Sequence, residues 1–250
     1  MLVHVPHAGV VIPPQLRTAI ELTDEELDAE LSVMTDWHTD RLAREAVTLS
    51  GSAATVFTNL FSRLVVDPER FPDEREVMRS VGMGAVYTRT SNRMPLRSLD
   101  VELERDLLER YFFPYADAIA DEVDRLLDMH GECTIIDLHS YPERALPYEL
   151  DHTAERPSVC IGTDGNHTPS NLWERAANAF ESVTADIAHD APFAGTYVPT
   201  RHYAIDQRVR SVMVEIRRDL YLREPAEYLE APATRIVGAL SSLIRDLNGE

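Results

Sequence analysis

An α/β fold with a largely parallel sheet is what the sequence predicts, and three observations predict it. Short β-branched runs alternate with longer stretches of helical periodicity from one end of the chain to the other. No internal repeat, low-complexity tract or linker interrupts that alternation. The 250 residues suffice for a core that buries roughly three quarters of the extended chain's surface. Residues 1–250 therefore read as one domain that needs neither disulfide nor metal merely to fold.

The apolar run Leu2–Val5 opens the chain as a strand and stops at Pro6-His7-Ala8-Gly9. Thr23-Asp24-Glu25-Glu26 is a capping box, which starts a helix near residue 24. A second helix, from about Asp36, carries Leu42, Ala43, Ala46 and Val47 at helical spacing. Residues 53–58 and 63–66 are strand-like, with Asn59 and Ser62 near their joint. Residues 68–98 are rich in proline, arginine and turn formers, and connections of this kind are functional or mobile. Over 99–129 the apolar positions recur every three or four residues, with Pro114 as the expected break. Residues 134–138 form a buried strand that ends in His139-Ser140, and 158–162 form another. Residues 171–187 are helical, 209–216 a strand, and 225–247 the closing helix, with Pro225 near its first turn.

Composition narrows the function. The chain has 43 acidic and 24 basic residues, a formal net charge of −19. Such a protein repels nucleic acid and anionic membrane at long range, so neither is an expected partner. Every basic residue is arginine and there is no lysine. That excludes a P-loop lysine, a Schiff-base lysine and a pyridoxal-phosphate lysine. The positive charge available is a fixed guanidinium fork, suited to carboxylates and oxyanions. Cys133 and Cys160 lie in or beside apolar runs and read as buried thiols, too few for a structural zinc site. They fit a cytoplasmic location. The opening LVHVPHAG lacks the basic and apolar regions of a signal sequence, and no apolar stretch approaches the roughly 20 residues that span a bilayer.

Ligands in open α/β sheets gather beyond the carboxyl ends of the strands. His7 stands there after the first strand, and His139 and Ser140 after 134–138. Asp67, Glu69 and Arg70 follow 63–66, and Glu215 lies near the end of 209–216 with Arg217 and Arg218 just after. Singly, each has an ordinary reading. A histidine after a strand is most often capped or on the surface. Glu215 would be half of a buried ion pair with an arginine, and Asp36 and Asp40, at i, i+4 on a helix, would pair with Arg41 and Arg44. Together, two histidines, an acidic residue and a glutamate at strand ends match a catalytic zinc site. Such a site uses three protein ligands plus water, with a carboxylate base nearby. The chain has no H-E-x-x-H and no G-x-S-x-G. Gly82-Met83-Gly84 lacks the third glycine of a dinucleotide fingerprint.

Six segments, in order, carry a resemblance. They are PHAGVVIP (6–13), TDWHTDRL (35–42), SRLVVDPER (62–70), IIDLHS (135–140), IGTDG (161–165), and APFAGTY (191–197) followed by VEIRRDLYL (214–222). In these the chain resembles the N-formylglutamate amidohydrolase family, within the wider class of zinc-dependent exopeptidase-like folds. The resemblance implies a three-layer α/β/α fold with a mostly parallel mixed central sheet, zinc-carboxypeptidase-like. It also implies one Zn2+ per chain, with His7 and His139 as ligands. Zinc carboxypeptidases, a more remote likeness, have a histidine after an early strand, a second in a His-Ser turn as in DLHSY, and a catalytic glutamate in Glu-x-Arg as in Glu215-Ile216-Arg217. Their third ligand corresponds to Val10 here. The family likeness points instead to an acidic residue of TDWHTD: Asp36, ahead of His38 and Asp40. By the same likeness Glu215 is the general base, Arg63 an oxyanion and substrate donor, and Arg70 the substrate-carboxylate donor. Glu69 stands where the family usually has asparagine.

The function this implies is a zinc-dependent amidohydrolase. It would cleave the N-acyl amide, N-formyl first, of a small-molecule N-acyl amino acid such as N-formylglutamate, as in histidine degradation. Glu69 and the arginine-rich 70–97 segment motivate an alternative, a zinc hydrolase of another N-acyl amino acid or a short peptide. Val10 motivates a third reading, a non-catalytic binding protein of the same fold.

Overall fold

Six runs of chain pair into one sheet in the computed structural model, which describes residues 1–223 and 225–249. They are β1 (Leu2–Val5), β2 (Thr55–Thr58), β3 (Cys133–Tyr141), β4 (Val159–Gly162), β5 (Ile187–His189) and β6 (Val209–Arg217). Their order is β2-β1-β3-β6-β4-β5. β2, β1, β3 and β6 run parallel, while β4 pairs antiparallel with β6 and carries β5 parallel to itself. Helices are α1 (Pro14–Arg17), α2 (Asp24–Met34), α3 (Thr39–Ser50), α4 (Val101–Leu107), α5 (Phe113–His130), α6 (Ser170–Phe180) and α7 (Glu230–Leu247). A short hairpin, β7 (Leu222–Arg223) with β8 (Glu227–Tyr228), precedes α7. The mostly parallel mixed sheet and the three-layer arrangement are as the sequence predicts. No helix among the described residues is long and apolar enough to cross a membrane.

One sheet face is apolar along its length. Val3, Val5, Ile136, Leu138, Val212, Val214 and Ile216 pack there against α3, α6 and α7. The opposite face is apolar only at the amino ends of the strands, where Leu2, Cys133, Ile135 and Val209 meet Ile119, Val123, Leu126 and Leu127 of α5. Side chains on a strand alternate between faces. The face that carries Cys133 and Ile135 therefore continues through Asp137 and His139, that of Leu2 through His4, and that of Val209 through Glu215. The register pairs His4 with Asp137 and His139 with Glu215. Half of this face is hydrophobic core and the other half is a floor of ionisable groups.

Several boundaries differ from the sequence reading. Residues 63–66 turn rather than extend, because Ser62 accepts from Val65 N (2.8 Å) through its carbonyl and from Leu64 N (3.1 Å) through its hydroxyl. β3 runs on through His139 and Ser140 to Tyr141, so both lie inside the strand. Pro114 does not break the helical run. A π-helical turn, Leu108–Phe112, joins α4 to α5 and displaces the hydrogen-bond ladder just before the residue that has no N–H. α6 ends at Phe180, and the chain beyond supplies β5. The closing helix starts at Glu230, not near Pro225, because Leu229 N is tied to Tyr221 O (2.9 Å) and the hairpin occupies the segment before it. The Thr23 capping box forms as its residues require.

α3 begins at Thr39, so Asp36 precedes it, with His38 at φ 63° in the left-handed region. The loop after β1 lies directly on the loop after β2. A Cβ on Gly9 would stand 2.5 Å from Phe61 O and 2.6 Å from Asn59 O, both backbone atoms that cannot swing aside. Gly9→Ala is expected to cost roughly 1–3 kcal/mol and to lower Tm by about 2–4 °C per kcal/mol in a chain of this size. An unchanged thermal melt would contradict the contact.

Candidate active site

The polar floor at the carboxyl ends of β1, β3 and β6 collects residues that are distant in sequence. His7 lies just past β1, His139 within β3, and Asp36 between α2 and α3. Asp36 N donates to His7 O (3.0 Å), so the two loops are joined through backbone. His7 Nδ1 is 3.2 Å from His139 Nδ1, His139 Nδ1 is 3.2 Å from Asp36 Oδ2, and His7 Nδ1 is 3.7 Å from that same oxygen. All three residues are buried.

That triangle fits a metal ion. Ligand bonds of about 2.0–2.1 Å in a tetrahedral site place neighbouring donor atoms about 3.3–3.4 Å apart. Two imidazole nitrogens facing each other across 3.2 Å cannot both carry hydrogen, so at least one of them offers a lone pair there. The surrounding charge agrees. With Glu215 ionised, the carboxylates of Asp36, Asp67, Glu69, Asp137 and Glu215 gather beside the guanidiniums of Arg63, Arg70 and Arg218. Glu76, Glu149 and Asp164 line the same cavity with Arg75, so acidic groups outnumber basic ones there, which favours a cation.

The triangle is held from behind. Asp36 Oδ1 accepts from Arg218 Nη2 (3.2 Å), and Arg218 is anchored to Val33 O (2.6 Å) and to Ser140. Burial opposes ionisation of Asp36, but the neighbouring His139 and His7 hold it well below the usual carboxylate range. His7 Nε2 meets Asp67 Oδ1 at 2.9 Å. His139 Nε2 is buried without a hydrogen bond, 3.1 Å from Asp137 Oδ1 and 3.2 Å from Glu69 Oε1. Asp137 also accepts from Tyr197 N (2.8 Å) and meets His4 Nδ1 (2.9 Å), whose other nitrogen meets Tyr115 Oη (2.7 Å).

Glu215 differs from these carboxylates. It stands beside His139 in the parallel register, its Oε2 is buried with no hydrogen-bond partner, and burial pushes it up to about 7. The ion pair with arginine that an apolar strand suggests is not made. Arg217 bonds Asp219 (2.8 Å) and Arg218 bonds Asp36. Arg63 donates through Nε to Tyr87 Oη (2.9 Å) and through Nη2 to Asp67 Oδ2 (2.8 Å). Arg70 is less committed, with Asp67 and Glu76 carboxylate oxygens 3.7 and 3.8 Å away and Nε buried without a partner. Glu215, Arg63, Arg70 and the donor triangle line one cavity of about 500 Å³, the size of a small-molecule site.

The structure thus brings His7, Asp36, His139, Glu215, Arg63 and Arg70 together. His38 and Asp40 lie elsewhere: His38 Nε2 meets Ala226 O (2.8 Å), and Asp40 pairs with Arg44 (3.0 Å). Arg41 pairs with Glu45 and Glu230 rather than with either aspartate. Val10 is exposed, and Asp36 occupies the place beside the histidines that Val10 cannot fill. Sequence reasoning gave no role to Arg218, Asp67 or Asp137. Asp137 was the most accessible of these, since it precedes His139 by two residues on one strand face.

Comparison with known proteins identifies the family. The model of the N-formylglutamate amidohydrolase family matches residues 1–222. An N-formylglutamate deformylase of Pseudomonas putida is 26% identical over 257 residues, covering 99% of this chain and 91% of that protein. The crystal structure of N-formylglutamate amidohydrolase from Ralstonia eutropha JMP134 has a TM-score of 0.80 at 22% identity, covering 99% of this chain and 92% of that one. A gene product of Agrobacterium tumefaciens has a TM-score of 0.74 at 21% identity, covering 100% and 90%. These structural likenesses establish the shared fold, and the family match spans most of the chain. The chain belongs to the N-formylglutamate amidohydrolase family and is a hydrolase acting on a linear amide.

Proposed function

We propose that this protein hydrolyses the N-formyl amide of an amino acid such as N-formylglutamate, using one zinc ion held by His7, Asp36 and His139. The observation that carries the reading is the placement of unpaired Glu215 beside that donor triangle, in one cavity. Two imidazole nitrogens and a carboxylate oxygen suit zinc, with a coordination position left for water or substrate. When bound, the metal would supply Lewis-acid polarisation of the carbonyl and lower the pKa of a water to about 7.

The chain's own residues do the rest. Glu215 takes the proton from the attacking water and delivers it to the leaving nitrogen, and with no arginine tied to it the carboxyl is free to hold and release that proton. Arg63, braced by Tyr87 and Asp67, presents its guanidinium to the oxygen that gains negative charge. Arg70 takes the substrate carboxylate as a fork and fixes the pose. The amide C–N bond breaks, and formate and the amino acid leave. The name of the Pseudomonas putida relative supports formyl and glutamate as the two halves of the substrate. A cytoplasmic place in histidine degradation goes with that reading.

Glu69 favours a second reading. Its carboxylate lies 3.2 Å from His139 Nε2 at the edge of the cavity, where it repels a second acidic group on the substrate. Another N-acyl amino acid or a short peptide is then the substrate. A panel of N-formyl, N-acetyl and peptide substrates tests both, and fastest turnover of N-formylglutamate supports the first.

Glu215→Gln is expected to keep its metal and lose about 10²–10⁴-fold in kcat; wild-type turnover in the variant would contradict the base assignment. Glu215 acts as a base only when ionised, so kcat/KM falls as pH drops through its pKa. That pKa is about 7 in the metal-free chain and lower with a cation alongside. A profile flat across the acid range would contradict this. Arg70→Ala should raise KM by about 10–100-fold, the worth of a charge-assisted hydrogen-bond pair. An unchanged KM would move carboxylate recognition elsewhere.

A further inference from the structure

Asp67 enters the reading above only as a brace for Arg63, yet its surroundings fix more than that. It is fully buried and meets a partner at each of its four lone-pair positions. Oδ1 accepts from Glu69 N (3.2 Å) and meets His7 Nε2 (2.9 Å). Oδ2 accepts from Arg63 Nη2 (2.8 Å) and from the Tyr87 hydroxyl. A guanidinium and a backbone N–H can only donate. The Tyr87 oxygen already accepts from Arg63 Nε (2.9 Å), so its own hydrogen is the one given to Asp67.

A carboxylate met by three such donors is ionised. An ionised carboxylate only accepts, so His7 Nε2 must carry a hydrogen. The imidazole that binds a metal is neutral and has one, which leaves Nδ1 as the lone pair, facing His139 Nδ1 and Asp36 Oδ2.

We propose that Asp67 is a positioning residue with two effects: it fixes His7 in the tautomer that offers Nδ1 to the metal, and it holds Arg63 at the cavity wall. One carboxylate then sets metal affinity and substrate binding together. Its partners come from separate places: His7 from the loop after β1, Arg63 from the turn after Ser62, and Tyr87 from the irregular stretch between β2 and α4. The assignment rests on His7, Asp36 and His139 being the metal-holding set.

The test compares zinc affinity, by competition with a chromophoric chelator and without substrate, in wild type and Asp67→Asn. The expected result is zinc binding weakened on the order of 10–100-fold, in a variant whose far-ultraviolet circular dichroism and cooperative melt show it folded, and a raised KM in the zinc-loaded enzyme. Equal zinc affinity in the folded variant would overturn the proposal. Wild type that takes up no zinc would instead overturn the reading beneath it. Should Asp67→Asn not fold, the metal-free wild type carries the test. Two-bond 1H–15N correlations, assigned by the peaks lost in His7→Gln, report the tautomer of His7. Hydrogen on Nε2 supports the proposal and hydrogen on Nδ1 overturns it.

Discussion

The parallel register between β3 and β6 is the constraint on which the rest of the site depends. It pairs Cys133 with Val209 at one end and His139 with Glu215 at the other. A slip of one residue would turn His139 to the apolar face and bury it against α3 and α7. The register is held because Ile136, Leu138, Val212, Val214 and Ile216 must all face that side. Hydrophobic packing on one face of the sheet thus fixes the placement of His139 and Glu215 on the other.

Charge is the second organising element. Ionisable groups are rarely buried without a partner, and here they are buried together. Asp67, Asp137 and Asp36 each hold a histidine, an arginine or both, and stay ionised against the pull of burial. Glu215 has no such partner and rises to about 7. The same floor therefore yields two kinds of carboxylate: ones that their partners hold ionised, and one free to exchange a proton near neutrality. Hydrogen-bond partners, not depth of burial, separate them.

Much of this was legible in the sequence where the signal is local. Leu2–Val5, the Thr23 capping box and the strand beginning near Cys133 follow from short-range pattern. The segments around His7, Asp36, Arg63, His139 and Glu215 suffice to suggest the family. What failed depended on partners far away. The β-branched residues of 63–66 suggest a strand, but Ser62 turns the chain. Three residues of β5 make too short a pattern to find before β4 is there to pair with them. Where α3 begins decides Asp36 against Asp40, and no residue in TDWHTD announces that the helix waits for Thr39. Arg218 and Asp67 act through contacts that span 182 and 60 residues of sequence, beyond any local pattern.

The proposed mechanism requires His7, Asp36 and His139 to form one zinc site. Elemental analysis of protein purified without added metal or affinity-tag nickel tests it most directly, with His139→Ala measured beside wild type. About one zinc per chain, lost in the variant, is the result predicted. Wild-type protein that carries no metal, and takes up none when zinc is added, would contradict it.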